Sequence, residues 1–274
     1  MFVHSSRILK QIAYLKSKGI STEELFRQGG FSQEQIQDPT HTFKLEQFID
    51  VLEYAIERTG DRYYGLKMGQ EPHVAGTVGM LCASCRNLEE AFIQGCKYFQ
   101  LQGDFAEIEF LEDSDHPSIR YTLAEYWTIN SPATARHEVD AMFAFLATIL
   151  KINSNQTLRP YRIYLETSTP ENPNVYEQIF GIMPQFDQAT NEIFFSARDL
   201  TIPMKAFNPE TYELLKSHIE TRLRQIANNV MVSDKVRTIL LSSLRYSFPD
   251  METVASRLNV SPRTLQRMLS NENT

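Results

Sequence analysis

Asp250-Met251-Glu252-Thr253-Val254-Ala255-Ser256-Arg257-Leu258-Asn259-Val260-Ser261-Pro262-Arg263-Thr264-Leu265-Gln266-Arg267-Met268-Leu269-Ser270-Asn271 reads as two short helices joined by a tight turn. Val254, Ala255 and Leu258 recur at helical spacing, Asp250 is placed to cap the first turn, and Asn259 tolerates the left-handed conformation that ends it. Ser261 is a good N-cap for the second helix. Pro262 occupies the first helical position, where its missing N–H costs nothing. Leu265 and Leu269 face inward together. Arg263, Thr264, Gln266, Arg267 and Ser270 fall on the outer face, a set able to donate to base edges and phosphates in a major groove. The pattern fits a helix-turn-helix, and it also fits a surface helical hairpin with a solvated polar face.

The residues themselves separate the two. Val254-Ala255-x-Arg257-Leu258-x-Val260-Ser261-x-Arg263-Thr264-Leu265-Gln266-Arg267-x-Leu269 resembles the first helix-turn-helix of the AraC/XylS family of bacterial transcription regulators. The resemblance implies that Arg263, Gln266 and Arg267 are base-reading positions and that Ser261 orients the helix. Arginine suits a guanine edge and glutamine an adenine edge, each pair discriminating by about 1–3 kcal/mol. Family members carry two such motifs joined by a long helix, and these residues stop at Thr274, about where that helix would begin. Specific affinity needs phosphate contacts spread along the duplex, so weak and unselective DNA binding is expected of one motif alone.

Length and composition bound the rest. At 274 residues and 42% hydrophobic content, the chain has room for one large or two modest domains. The longest apolar run, residues 141–150, is too short for a membrane helix, and residues 1–15 lack a signal-peptide core. A cytoplasmic protein with no membrane partner is expected. Cys82, Cys85 and Cys96 are too few for a disulfide framework, and Cys82-x-x-Cys85 has neither a second pair nor a spaced histidine to make a zinc site. Small buried packers fit them better. The net charge of −7 argues against a nucleic-acid surface over the whole molecule, but from Ser233 onward six basic side chains face four acidic ones. Only that tail favours DNA.

Earlier in the chain, residues 5–70 read as helical. Ile8, Ile12 and Leu15 form a stripe ended by Gly19, and Ser21 with Glu24 has the capping-box spacing. A longer helix over residues 45–59 buries Phe48, Leu52, Ala55 and Ile56, and a break spans residues 72–79. Asn87 with Glu90 repeats the capping box. The period then changes to two: Ala106, Ile108 and Phe110 alternate with glutamates, and Ile119, Tyr121 and Leu123 answer them across a turn. Ser131-Pro132 starts a helix to about Ile152 with a wide apolar stripe, predicted to lie across the sheet. Strands near residues 161–166, 184–187 and 192–195 complete an α+β fold, an N-terminal helical region and mainly antiparallel sheet with packed helices, followed by an all-α segment.

Tyr161-Arg162-Ile163-Tyr164-Leu165, Pro170, Tyr176, Phe180-Gly181, Phe186, Asn191-Glu192-Ile193-Phe194-Phe195, Asp199-Leu200 and Pro203 resemble the effector domain of one AraC/XylS branch, the arabinose-binding type. That implies a small-molecule sensor without fixing its ligand. The expected organisation is an effector-binding domain at 1–205, a linker or dimerisation helix at 206–232 and a partial DNA-binding domain at 233–274. No phosphate-binding glycine loop or Gly-x-Ser-x-Gly elbow is present, and His137-Glu138 lacks the second histidine of a zinc helix. The reading is therefore a one-component transcription regulator rather than an enzyme, with no cofactor or metal. The alternative is a ligand-binding or dimerisation module that has lost DNA binding. The effector site is expected between the Ser131 helix and the hairpin, at Tyr121, Trp127, Arg136 and His137, an apolar-polar mixture with an arginine suited to a carboxylate. Alternatively Trp127 is core and the other two are solvated. Self-association into a homodimer is expected through residues 208–228, where Tyr212, Leu215, Ile219 and Ile226 form a stripe that docks equally well on the effector domain.

Overall fold

The computed structural model describes residues 1–38, 41–71, 76–229, 232–233, 236, 239–240 and 249–272, without the side chains of 28 and 225–229. The chain divides into two compact units, Met1–Ile219 and Glu220–Thr274.

The first unit opens with a strand pair. β1 (Phe2–His4) runs antiparallel to β2 (Thr42–Lys44), with Val3 opposite Phe43, and both side chains are buried. Between and after them come α1 (Ser5–Ser17), α2 (Glu23–Gln28), α3 (Gln33–Gln37) and α4 (Leu45–Thr59). α4 follows its apolar spacing and ends at Gly60, whose left-handed φ of 60° suits a glycine C-cap. α2 departs from the capping-box expectation: its N-cap is Thr22, and the Ser21 hydroxyl accepts from Glu23 N at 3.4 Å. α5 (Tyr64–Gln70), α6 (Gly76–Ser84) and α7 (Leu88–Lys97) follow, so the expected break closes at Gly76 rather than Gly79. Asn87 does cap α7, accepting from Glu90 N at 2.9 Å, while the Glu90 carboxylate turns to Arg86 N.

The hairpin is β3 (Ala106–Leu111) with β4 (Ser118–Leu123), and its exposed Glu107 and Glu109 pair with Thr122 and Arg120 on the wet face while Ile119, Tyr121 and Leu123 are buried on the other. After α8 (Glu125–Asn130) and α9 (Pro132–Asn153) the chain adds β5 (Arg162–Tyr164), α10 (Asn174–Phe180), β6 (Glu192–Phe194) and α11 (Ala197–Leu200). The sheet order is β3-β4-β6-β5, antiparallel throughout, and Gln185, expected in a strand, makes one isolated bridge to Tyr164. This is an α+β architecture.

α9 is the unit's central rod. Ser131 does not cap it: its hydroxyl donates to Glu53 at 2.9 Å and accepts from Thr134 at 2.8 Å. α5 crosses α9 so closely that a Cβ on Gly65 would lie 2.1 Å from the His137 carbonyl oxygen, and one on Gly69 2.4 Å from that of Ala141. Only glycine permits that approach. Burial pushes the Cys82 and Cys96 thiols up to about 12, so they stay protonated and unreactive at neutral pH.

α12 (Pro209–Asn229) starts in the first unit, with Asn208 accepting from Thr211 N at 2.9 Å. Leu215 of its expected stripe is half-buried. Tyr212 packs on the main core and Ile219 is fully buried, while Leu214, off the stripe, is 70% exposed. Ile226 lies outside the described side chains. In the second unit, α13 (Met251–Arg257) and α14 (Pro262–Asn271) bury Val254, Ala255 and Leu265 against Val232, Val236, Ile239, Leu240, Leu258, Val260 and Leu269. Asp250 accepts from Thr253 N at 2.8 Å, Ser261 from Thr264 N at 3.1 Å, and Asn259 turns at a φ of 55°. Each local signal in this stretch is realised. The Glu272 carboxylate closes the unit by accepting from the Val232 and Ser233 N–H groups.

Candidate functional sites

α9 is buried nearly all round from Thr134 to Ala144, yet it carries Glu138 and Asp140 in that stretch. Buried carboxylates must be paired or neutralised. Glu138, with a fully buried side chain, pairs with Arg7 of α1 through Oε1, which also accepts from the Tyr121 hydroxyl at 3.0 Å. Arg7 crosses above two aromatic rings, its guanidinium carbon 4.9 Å from the Phe105 centroid and 5.6 Å from that of Phe48. Desolvation opposes the Arg7 charge, but Glu138 overrides it and leaves the pKa raised. Lys10, one turn along α1, lies 5.2 Å from the Phe145 centroid, and burial with the neighbouring Arg7 charge lowers it to about 8. Tyr121 is held protonated by burial and by Glu138. The result is a buried, charged centre walled by aromatic rings, where α1, α9 and β4 converge.

Two polar atoms in this centre are buried without a hydrogen-bond partner among the described residues, Glu138 Oε2 and Arg7 Nε. Natural interiors rarely leave such groups unmet, and each costs about 1–3 kcal/mol. A ligand that supplied the missing partners would recover that cost. A second carboxylate, Asp140, accepts from Tyr176 at 2.9 Å and sits 3.8 Å from Arg136 Nε, and burial pushes it up to about 7.

Of the four expected effector residues, Tyr121 belongs to this centre and the others serve elsewhere. The Trp127 N–H donates to Thr134 at 2.8 Å, and its ring packs edge-on against Phe48 and Phe105. His137 Nδ1 accepts from Gly65 N at 3.2 Å, and burial lowers the imidazole to about 4, so it is neutral. Arg136 donates to the Arg62 carbonyl at 2.8 Å. The sequence reading missed Arg7, Lys10 and Glu138. A signal was available in two acids inside an otherwise buried helix, but the partner of Glu138 lies 131 residues away.

An open cleft on the sheet, lined by Leu111, His116, Tyr161, Arg162, Glu192 and Phe194, is chemically quieter. Glu192 already accepts from Ser118 at 2.6 Å and from Arg120 at 3.0 Å, and Arg162 donates to the Tyr164 hydroxyl at 2.8 Å.

On α14, Arg263, Gln266, Arg267 and Ser270 are exposed on one side while Leu265 is fully buried on the other. Thr264 is half-buried, its hydroxyl 2.8 Å from that of Ser261, so these two build the helix start. Among the described residues no group of three His, Cys, Asp or Glu side chains gathers for a metal, and no helix is long and apolar enough to cross a membrane.

Comparison with known proteins gives three findings. Residues 19–204 match the family described as the arabinose-binding domain of AraC transcription regulator, N-terminal. The chain is 25% identical over 261 residues to the ornithine utilization regulator of Pseudomonas aeruginosa, covering 93% of this chain and 75% of that protein. It also resembles the crystal structure of the transcriptional regulator CdpR from Pseudomonas aeruginosa, with a TM-score of 0.57 at 15% identity over 98% of this chain and 80% of the other, a likeness of fold alone. Arg7 and Lys10 precede the matched residues.

Proposed function

This chain belongs to the AraC-type transcription regulators that carry an arabinose-binding-type N-terminal domain, and from that premise we propose a division of labour along it. Residues 1–205 take up a small polar effector, 206–232 connect, and 233–274 bind double-stranded DNA through α14. The observation that supports the DNA reading is the face of α14, where Arg263, Gln266 and Arg267 stand in solvent on a helix anchored by buried Leu265. The effector is taken at Arg7, Lys10, Tyr121 and Glu138. Among the described residues this is one of two buried ion pairs that leave hydrogen-bonding capacity unused, the other being Arg136 Nε with Asp140 Oδ1, and it is the one that Tyr121 joins to the hairpin. Trp127 backs the Phe48 and Phe105 rings that wall the site.

A reporter driven by the promoter upstream of the gene tests both halves. Effector-dependent transcription is expected to be lost on Glu138→Gln with DNA binding retained, and the weak DNA binding expected of one motif to fall further on Arg267→Ala with effector binding retained. If Glu138→Gln leaves the effector response intact, the placement is wrong. If Arg267→Ala leaves the gel shift intact, α14 does not read bases.

A further inference from the structure

Arg7 and Glu138 meet through one nitrogen and one oxygen, and that leaves the pair half used. Both donors that reach Glu138, the Arg7 guanidinium and the Tyr121 hydroxyl, load onto Oε1. Oε2 is left as an unmet acceptor on a fully buried side chain, and Arg7 Nε as an unmet donor beside it. Each lies a single carboxylate or guanidinium width from the same contact. A ligand that satisfies both must carry a hydrogen-bond donor and an acceptor on nearby groups.

We propose that this centre recognises a short carboxylate bearing a donor on its α-carbon, an α-amino or α-hydroxy acid, with the carboxylate on Arg7 and the donor on Glu138 Oε2. The unmet donor belongs to a guanidinium, with Lys10 one turn along α1 and Glu71 as a further charge acting on Lys10. An anionic acceptor is thus favoured over a neutral one, and charge-assisted bonds to carboxylate are the stronger kind. Entry is along the flank of α1, where Arg7 keeps 17% of its side-chain surface exposed. The phenyl rings of Phe48 and Phe105 shield the guanidinium from above and keep the contact dry. This inference rests on the effector placement proposed above.

Calorimetry on the full chain tests it with glycine, L-alanine, glycolate and L-lactate, set against acetate, ethylamine and L-arabinose. One of the first four is expected to bind, and the amino and hydroxy arms tell which donor Glu138 takes. Acetate and ethylamine, each lacking one group, should bind roughly 10- to 100-fold more weakly, the weight of a hydrogen bond to a charged group. Glu138→Gln should reduce the preferred acid to the level of acetate, and Arg7→Lys, which keeps the charge, should weaken it less. Stronger binding of L-arabinose or ethylamine, lost on Glu138→Gln, would overturn the ligand class while leaving the site in place. Binding of the acids untouched by both variants would overturn the site as well. Silence from the whole panel, with the variants altering only thermal stability, means that Arg7 and Glu138 close on each other side-on and that the proposal fails.

Discussion

Replacing Arg7 with methionine isolates the energetics of the buried centre. Methionine keeps the length and apolar stem that lie over Phe48 and Phe105, and it removes only the charge that faces Glu138. A carboxylate stranded with no exposed surface typically costs about 3–5 kcal/mol. Protonation offers no cheaper escape at neutral pH, because neutralising a carboxyl of solution pKa about 4.3 costs about 4 kcal/mol at pH 7. The same relation makes that route cost only about 1 kcal/mol at pH 5. The deficit of Arg7→Met is therefore expected to shrink as the pH falls from 7 to 5, since a stranded acid has its folded pKa raised and loses stability as pH rises through it. Urea unfolding followed by fluorescence suits the measurement, because Trp127 is the chain's single tryptophan, is fully buried, and packs on the two rings that cover Arg7. The double variant Arg7→Met with Glu138→Leu should recover most of the loss, as buried pairs exchanged for apolar groups are often neutral or stabilising. A single-variant loss below about 1 kcal/mol, flat from pH 5 to 7, would mean that water reaches Glu138, contrary to its burial.

Other consequences can be measured in the same way. Asp140→Asn should remove a pH dependence: with Asp140 raised to about 7, stability present below about pH 4 is lost as pH rises through 7, by an amount of order 4 kcal/mol. The variant should gain on the parent in urea midpoint at pH 8 and match it at pH 4. His137, lowered to about 4, works in the opposite sense, losing stability as pH falls from about 6.5 through 4, so Asp140→Asn should expose a steeper acid limb. Gly65→Ala places a methyl group against the His137 carbonyl and should cost about 1–3 kcal/mol by thermal unfolding. Leu265→Ala should unfold the second unit selectively, costing about 2–5 kcal/mol in a cavity, readable as lost protection of α13 and α14 in hydrogen exchange.

What the sequence made legible was local. The turn at Asn259, the caps at Asp250, Ser261 and Asn87, and the apolar face of α4 each depend on residues within a turn or two of one another, and each appears as read. Where a residue had a distant suitor, local reading failed. Ser131 has the spacing of a cap, but Glu53, 78 residues earlier, takes its hydroxyl. β1 and β2 are three residues each and are held by a pairing that no periodicity signals. The effector expectation pointed to the seam between the hairpin and α9, and there Tyr121 of the hairpin does meet Glu138 of α9. It did not foresee how α9 divides its contacts, with Arg136 and His137 facing α5 and its preceding loop while Glu138 faces α1. Apolar stripes reveal where a helix is buried, and say little about which buried acid meets which base.

The glycine contact between α5 and α9 also determines which parts of the first unit can yield. Backbone rests on backbone at Gly65 and Gly69, and the side chains between the two helices, His137 against Gly65 N and the Tyr64 ring, and Ala144 against Gly69, are tightly held, so a push on one helix is passed to the other. α5 and α9 form a single stiff beam. α1 meets that beam at the charged centre through the long, jointed side chains of Arg7 and Lys10, the softest coupling there. α1 is tied to the same beam a turn further on, where the Tyr64 hydroxyl donates to Gln11 and the Tyr14 ring packs edge-on against Tyr64 at 5.3 Å.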